Sequence, residues 1–285
     1  MAGLGDTLRH HLLAFISELA GTFLFLLFAF GGTNAVNSPP KTAENANLAA
    51  DSAKLFFISL SFGLGLAVNV WIFFRVSGAH LNPAVTFAMM LVGAASIIRG
   101  LIMIVAQIAG GIAAAAVVSA LFPGPLGVST TLVEGTSIVR GLFIEMFLTA
   151  QLILTIFMLA GEKHRSTALA PIGIGMSLLL VEMTGIYWTG GSVNPARSFG
   201  PCVVTHSFPG YHWIYWVGPG LGAIVASAFY LLLKALNYQT LNPDQDSDGL
   251  DHRSYAPRPT EKVPPSRNGN GAAPYERGPA TEAAY

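Results

Sequence analysis

The tripeptide Asn-Pro-Ala occurs twice, at Asn82-Pro83-Ala84 and Asn194-Pro195-Ala196. Asn is a strong helix N-cap and Pro fits the first helical position, so each copy marks the start of a helix. A helix start carries free N–H groups and a positive dipole end. Two starts aimed at one point would orient a dipolar solute and repel a cation, without making or breaking a bond. No nucleophile–base pair or metal-ligand set converges at the motifs. The single cysteine, Cys202, excludes an internal disulfide and a multi-cysteine metal centre. The chain therefore does not read as an enzyme, and no cofactor or metal is expected.

Positioning these helix starts falls to long apolar segments. The 285 residues are 52% hydrophobic and 11% charged, against roughly 25% charged in an ordinary soluble domain. Lipid is thus the expected solvent for most of the chain. The net charge of +0 and the lack of a basic stripe argue against a nucleic-acid partner. Six stretches, about 12–33, 54–76, 97–122, 138–160, 167–189 and 212–235, approach the ~20 residues that a spanning helix needs. The first lacks a signal-peptide cleavage site and reads as an uncleaved span after a short polar segment, 1–11. Two shorter apolar segments, about 82–92 and 194–205, begin at the motifs and read as half-helices. Three spans lie between the motifs, so the half-helices enter from opposite faces. Irregular backbone at that depth is tolerated only where it lines a cavity or is buried in protein.

The two halves repeat. Phe15-Ile16-x-Glu18-x-x-x-Thr22 is echoed by Phe143-Ile144-Glu145-x-x-x-Thr149, and Gln107-x-x-Gly110 has the spacing of Pro219-x-x-Gly222. Repeats of three spans imply inverted topology, with repeat one at about 12–122, repeat two at about 138–235, and a site between them. The expected fold is an all-α membrane protein with six transmembrane helices and two re-entrant half-helices, occupying residues 12–238. Residues 239–285 are rich in Pro, Gly, Asn and charge and read as a disordered tail. Its Asp244-x-Asp246-x-Asp248-Gly249 run mimics half of a calcium loop, but Tyr255 stands where the bidentate Glu belongs. Basic residues gather on one side: Arg9, Arg75, Arg99, Lys163, Arg165, Lys234 and the tail. The other side keeps Lys41, Lys54, Arg140 and Arg197. That asymmetry predicts cytoplasmic termini.

Ser77-Gly78-Ala79-His80-Leu81-Asn82-Pro83-Ala84-Val85-Thr86 and Asn194-Pro195-Ala196-Arg197-Ser198-Phe199-Gly200-Pro201 closely resemble the paired signatures of the aquaporin (major intrinsic protein) family. The resemblance covers about residues 10–238, and Tyr187-Trp188-Thr189-Gly190 is similar to fungal members. It implies an hourglass pore in each subunit of a homotetramer, water as permeant, and a multi-pass protein of the plasma membrane. Residue by residue, it implies that Asn82 and Asn194 donate to a central water. It implies that carbonyls of Gly78, Ala79, His80, Gly190, Gly191 and Ser192 form an acceptor ladder, and that Phe62, Glu182, Gly191 and Arg197 form the selectivity filter.

Read physically, Arg197 is an expensive charge in a membrane segment and so a functional one, offering donors to water and repelling cations. Glu18 and Glu145 are expected to hold the half-helix loops by accepting backbone hydrogen bonds; a proton relay is the sharper alternative. His80 either lines the pore or is a buried hydrogen-bonded His. Glu182 stands where water-selective relatives commonly have His and glycerol facilitators Gly. Either it pairs with Arg197 and reshapes the filter, or it turns away and bonds loop backbone. Gly191 removes a further side chain, which predicts a differently shaped or wider filter. Ser198, the Tyr215-Trp216 pair and Phe62 lean toward water. The expected function is a passive single-file water channel that excludes protons and ions. A pore also passing hydrogen peroxide or a small polyol is the alternative, and a proton-coupled carrier using the intramembrane Glu residues comes after it.

Overall fold

A computed structural model describes residues 4–37, 51–162 and 165–242. Lys41, Lys163 and the tail from residue 243, with its acidic run, lie outside the described residues. The chain divides into two units, and the second, Ser247–Tyr285, belongs wholly to that undescribed part.

All regular structure among the described residues is helical. Six helices are long and apolar enough to cross a membrane. They are α1 (Leu4–Asn37), α2 (Ser52–Ser77), α4 (Ile97–Leu121), α5 (Ile138–Ile156, continued by a π-helix, Phe157–Gly161), α6 (Ala170–Thr189) and α8 (Ile214–Ala235). Between them lie two short helices, α3 (Pro83–Leu91) and α7 (Pro195–Thr205). Local chemistry sets these starts. Asp51, Ser96 and Ser137 cap α2, α4 and α5 by accepting first-turn N–H groups. Helix α1 begins well before the apolar run, because Asp6 sits in its first turn and pairs with Arg9 at 3.4 Å.

Burial runs opposite to that of a soluble protein. Phe28, Trp71, Ile98, Val105 and Phe147 are exposed on the outside, where lipid would cover them, while Glu18, Glu145, Glu182 and Arg197 are buried. Equivalent helices pair in each repeat, α1 with α4 and α5 with α8, and α2 with α6 joins the halves. The half-helices exchange partners: α7 packs on α4 and α3 on α8. With no hydrophobic drive between helices in lipid, close approach depends on small residues. A Cβ on Gly110 would stand 2.7 Å from the Leu19 carbonyl oxygen, and one on Gly222 would stand 2.9 Å from the Ala150 nitrogen. These matched glycines are why each repeat closes tightly on its own half.

Candidate functional site

Each half-helix starts as its sequence dictates. Asn82 Oδ1 accepts from the Ala84 N–H at 2.8 Å, and Asn194 Oδ1 accepts from Ala196 at 3.0 Å and Arg197 at 3.4 Å, with Pro83 and Pro195 in the first turns. The side-chain amides then cross between repeats. Asn82 Nδ2 donates to the Val193 carbonyl at 2.8 Å, and Asn194 Nδ2 donates to the Leu81 carbonyl at 2.9 Å. An amide nitrogen carries two donor hydrogens, so one remains on each Asn. Both Asn residues line a cavity of about 380 Å³.

The turns before the motifs are strained and braced in the same way. Helices α2 and α6 end on left-handed glycines, Gly78 at φ 94° and Gly190 at φ 82°. Ala79 (φ 50°), Leu81 (φ 51°) and Val193 (φ 43°) also adopt positive φ, which for a β-branched valine is an outlier requiring support. Glu18 gives that support in repeat one. Its Oε1 accepts from Ser77 Oγ at 2.6 Å and the His80 N–H at 3.0 Å, and its Oε2 accepts from the Leu81 N–H at 2.8 Å and Gln107 Nε2 at 2.7 Å. Glu145 matches it, accepting from Thr189 Oγ1 at 2.6 Å, the Ser192 N–H at 2.9 Å and the Val193 N–H at 2.8 Å. Charged hydrogen bonds of this kind contribute about 1.5–3 kcal/mol each.

Leu81 and Val193 are thus the central joints. Each gives its N–H to a glutamate and its carbonyl to the Asn of the other repeat. Sequence reasoning missed both, although each directly precedes its motif. It also missed the bracing roles of Ser77 and Thr189, took Gln107 only as a mark of the repeat, and took Tyr215, whose hydroxyl donates to the Thr189 carbonyl at 2.8 Å, only as half of an aromatic pair.

Arg197 is buried and fully engaged on one side. It donates through Nε to the Gly191 carbonyl at 3.0 Å, through Nη1 to Val128 at 2.6 Å and through Nη2 to Gly190 at 3.2 Å. The Phe62 and Phe30 rings stand 4.9 Å and 5.6 Å from its guanidinium carbon, adding cation–π stabilisation. Arg197 borders both the central cavity and a second one of about 240 Å³ that Lys54, Tyr187 and Gly190 also line. It therefore stands at the neck between two chambers. No sequence signal marked Val128, because a loop carbonyl leaves none.

Phe62, Glu182, Gly78, Ala79, His80 and Ser192 line the central cavity, whereas Gly190 faces the second one. His80 is half-buried: it lines the cavity, and its Nδ1 lies 3.2 Å from Thr86 Oγ1. Glu182 follows neither arrangement set out for it. Among the described residues it forms no ion pair with Arg197, and neither of its oxygens has a hydrogen-bond partner. Its carboxyl instead occupies the notch beside Gly191, where a Cβ would stand 2.8 Å from the carboxyl carbon. The space that Gly191 vacates is filled rather than open.

The sequence profile described as "Major intrinsic protein" matches residues 7–230. The chain belongs to the major intrinsic protein family. Aquaporin-7 of Botryotinia fuckeliana (strain B05.10) is 61% identical over 84% of this chain and 53% of its own length. Probable aquaporin-5 of Gibberella zeae (strain ATCC MYA-4620 / CBS 123657 / FGSC 9075 / NRRL 31084 / PH-1) is 46% identical over 93% of this chain and 49% of its own. The chain spans about half the length of these relatives. Among solved structures, the aquaglyceroporin from Plasmodium falciparum superposes with a TM-score of 0.65 at 21% identity, over 77% of this chain and 95% of that one. That likeness carries the fold. This major intrinsic protein is an integral, multi-pass member of a family of channels rather than enzymes.

Proposed function

We propose that the chain forms a passive transmembrane channel conducting water in single file and excluding protons and ions. The observation that carries this reading is the crossed pair Asn82–Val193 and Asn194–Leu81 in the wall of the cavity. Each Asn keeps one donor hydrogen for the permeant, beneath a helix start whose dipole is positive. A water there accepts from both amides, so its oxygen cannot also take and pass on a proton. Arg197 adds a second cation barrier at the neck, with Phe62, Glu182 and Gly191 completing the filter.

Glu18 and Glu145 serve as loop braces. Their carboxylates are occupied by loop and side-chain donors, which disfavours a proton-relay carrier. The basic-residue asymmetry supports cytoplasmic termini, with Arg197 then toward the outer side. A homotetramer in the plasma membrane follows from the family resemblance. A second reading, that the pore also passes hydrogen peroxide or a small polyol such as glycerol, has one observation in its favour. Val70, Val85 and Ile174 give the cavity an apolar wall along which a polyol's carbon face can slide.

Swelling of proteoliposomes with water, glycerol and hydrogen peroxide in parallel tests the assignment. Fast water flux with glycerol near the empty-vesicle rate is expected; glycerol as fast as water would overturn the water-selective reading. Asn194→Asp should raise proton leak, and an unchanged leak counts against the central barrier.

A further inference from the structure

The carbonyls that hold Arg197 have two origins. Gly190 and Gly191 belong to the turn before its own motif, whereas Val128, at 2.6 Å, belongs to the link between α4 and α5. A carbonyl in a link fixes a guanidinium only where the link is itself fixed. The fixing groups come from the other repeat. At the end of α1, Asn34 Oδ1 accepts from the Gly127 N–H at 2.8 Å, and Asn37 Nδ2 donates to the Gly127 carbonyl at 2.5 Å. The two asparagines stand three residues apart and so share one helix face. A Cβ on Gly127 would lie 3.0 Å from Asn37 Cβ, so only glycine lets the link come this close without displacing α1.

The N–H and the carbonyl of one residue belong to different peptide planes. Holding both therefore sets the planes on each side of Gly127, and the next carbonyl along the chain is that of Val128. Val128 is buried, and beyond it the link is tied down again. The Leu132 N–H donates to the Tyr211 hydroxyl at 3.2 Å and the Val133 N–H to the Trp188 carbonyl at 3.1 Å. Between these anchorages the link lies against the filter turn, with Thr130 Cα 2.8 Å from where a Cβ on Gly190 would stand.

We propose that Asn34 and Asn37 are positioning residues for selectivity, acting through Gly127 and Val128 on Arg197. This deepens the channel reading and rests on it. Neither residue stands at the neck: Asn34 is buried, and Asn37 lines the second chamber. Together they keep Arg197 a fixed obstacle. With the clamp broken, the Val128 carbonyl drifts and Arg197 keeps only the two carbonyls of its own turn. The guanidinium then gives way more easily to a solute larger than water, while water passes in either case. The two asparagines have opposite polarity toward Gly127, one as acceptor and one as donor. Asn34→Asp thus keeps an acceptor for the Gly127 N–H, whereas Asn37→Asp sets an acceptor against the Gly127 carbonyl.

The test is the ratio of glycerol to water permeability in proteoliposomes carrying wild type, Asn34→Ala, Asn34→Asp, Asn37→Ala or Asn37→Asp, each also combined with Arg197→Val. Asn34→Ala, Asn37→Ala and Asn37→Asp should raise the ratio about fivefold, the scale of one net hydrogen bond. Asn34→Asp should keep the wild-type ratio. Beside Arg197→Val none of the four should move the ratio further, because the residue they act on is gone; a merely structural role would add its effect there too. Asn37 is exposed, so its variants fold even where a change at buried Asn34 does not. An unmoved ratio in both Asn37 variants, the same rise beside Arg197→Val, or Asn34→Asp behaving as Asn34→Ala overturns the inference and leaves the channel reading standing. Wild-type water flux no faster than that of empty vesicles removes the channel reading, and this one with it.

Discussion

Around Asn194 the central cavity is lined by Phe62, Glu182 and Arg197, with Gly191 covered by the Glu182 carboxyl, and at the repeat-related positions around Asn82 it is lined by Ile174, Val70, Ala79 and Val85. Glu182 and Val70 each stand twelve residues before their Asn, and Arg197 and Val85 three residues after. The backbone beneath them is the same: a left-handed glycine, a strained residue before the motif, a carboxylate brace and an Asn cap. The chemistry on top is opposite, charged in one half and apolar in the other. The scaffold demands only that buried backbone groups be satisfied, and it demands this equally of both halves. Lining is free to diverge once that demand is met. Arg197 finds its partners in Gly190, Gly191 and the Val128 loop, while nothing comparable is asked of Val85.

The largest expected effect breaks the shared part. Glu145→Leu strips the Ser192 and Val193 N–H groups of their acceptor, and each buried donor left unpaired costs about 1–3 kcal/mol. Loss of monodisperse protein in detergent chromatography and of water flux is expected. Glu18→Leu should be equally damaging, which checks that bracing is symmetric although lining is not.

Next comes removal of the divergent part. Arg197→Val combined with Glu182→Val gives the filter half the apolar lining of its counterpart. Water flux should persist while glycerol flux rises about tenfold, equivalent to ~1.4 kcal/mol of barrier. Swelling assays read both, and unchanged glycerol exclusion would place selectivity elsewhere.

A smaller effect sharpens the pairing of Gly191 with Glu182. Gly191→Ala should lower water flux severalfold in the parent and be nearly neutral beside Glu182→Val, a state that Ala79 and Val70 already show to be compatible with this turn. A double-mutant cycle should return coupling of about 0.5–3 kcal/mol; additivity would separate the two residues.

The smallest concerns Glu162, which follows the π-helix. There it accepts from the Tyr230 hydroxyl and from Lys234 Nζ at 3.0 Å and 3.2 Å. Burial pushes its carboxyl up, but hydrogen bonds from Tyr230, Lys234 and Gln239 and the Lys234 charge together hold it below the usual glutamate range. A lowered folded-state value stabilises at pH above the ordinary glutamate pKa, and that stability is lost as pH falls through the folded value. Glu162→Gln should cost about 0.5–1 kcal/mol near neutral pH and flatten this acid slope in thermal unfolding.

Much of this was legible from local codes. Asn-Pro is a cap-and-first-turn signal that needs no tertiary context, so both half-helices and their starts were readable. Span length is set by bilayer thickness, and the echo of Glu18 in Glu145 exposed the repeat. The unread parts depend on distant partners. No propensity marks Val193 for a left-handed turn; only the Glu145 brace and the Asn82 donor hold it there. Val128 acts through its backbone. The direction of Glu182 depends on the volume that Gly191 leaves, which spacing alone does not encode.

The central claim is a passive pore, and the temperature dependence of osmotic water flux in proteoliposomes tests it most directly, with and without a protonophore. A passive pore gives a low activation energy, close to that of freely diffusing water, and no response to the protonophore. A high activation energy, or flux abolished when the proton gradient collapses, would contradict it.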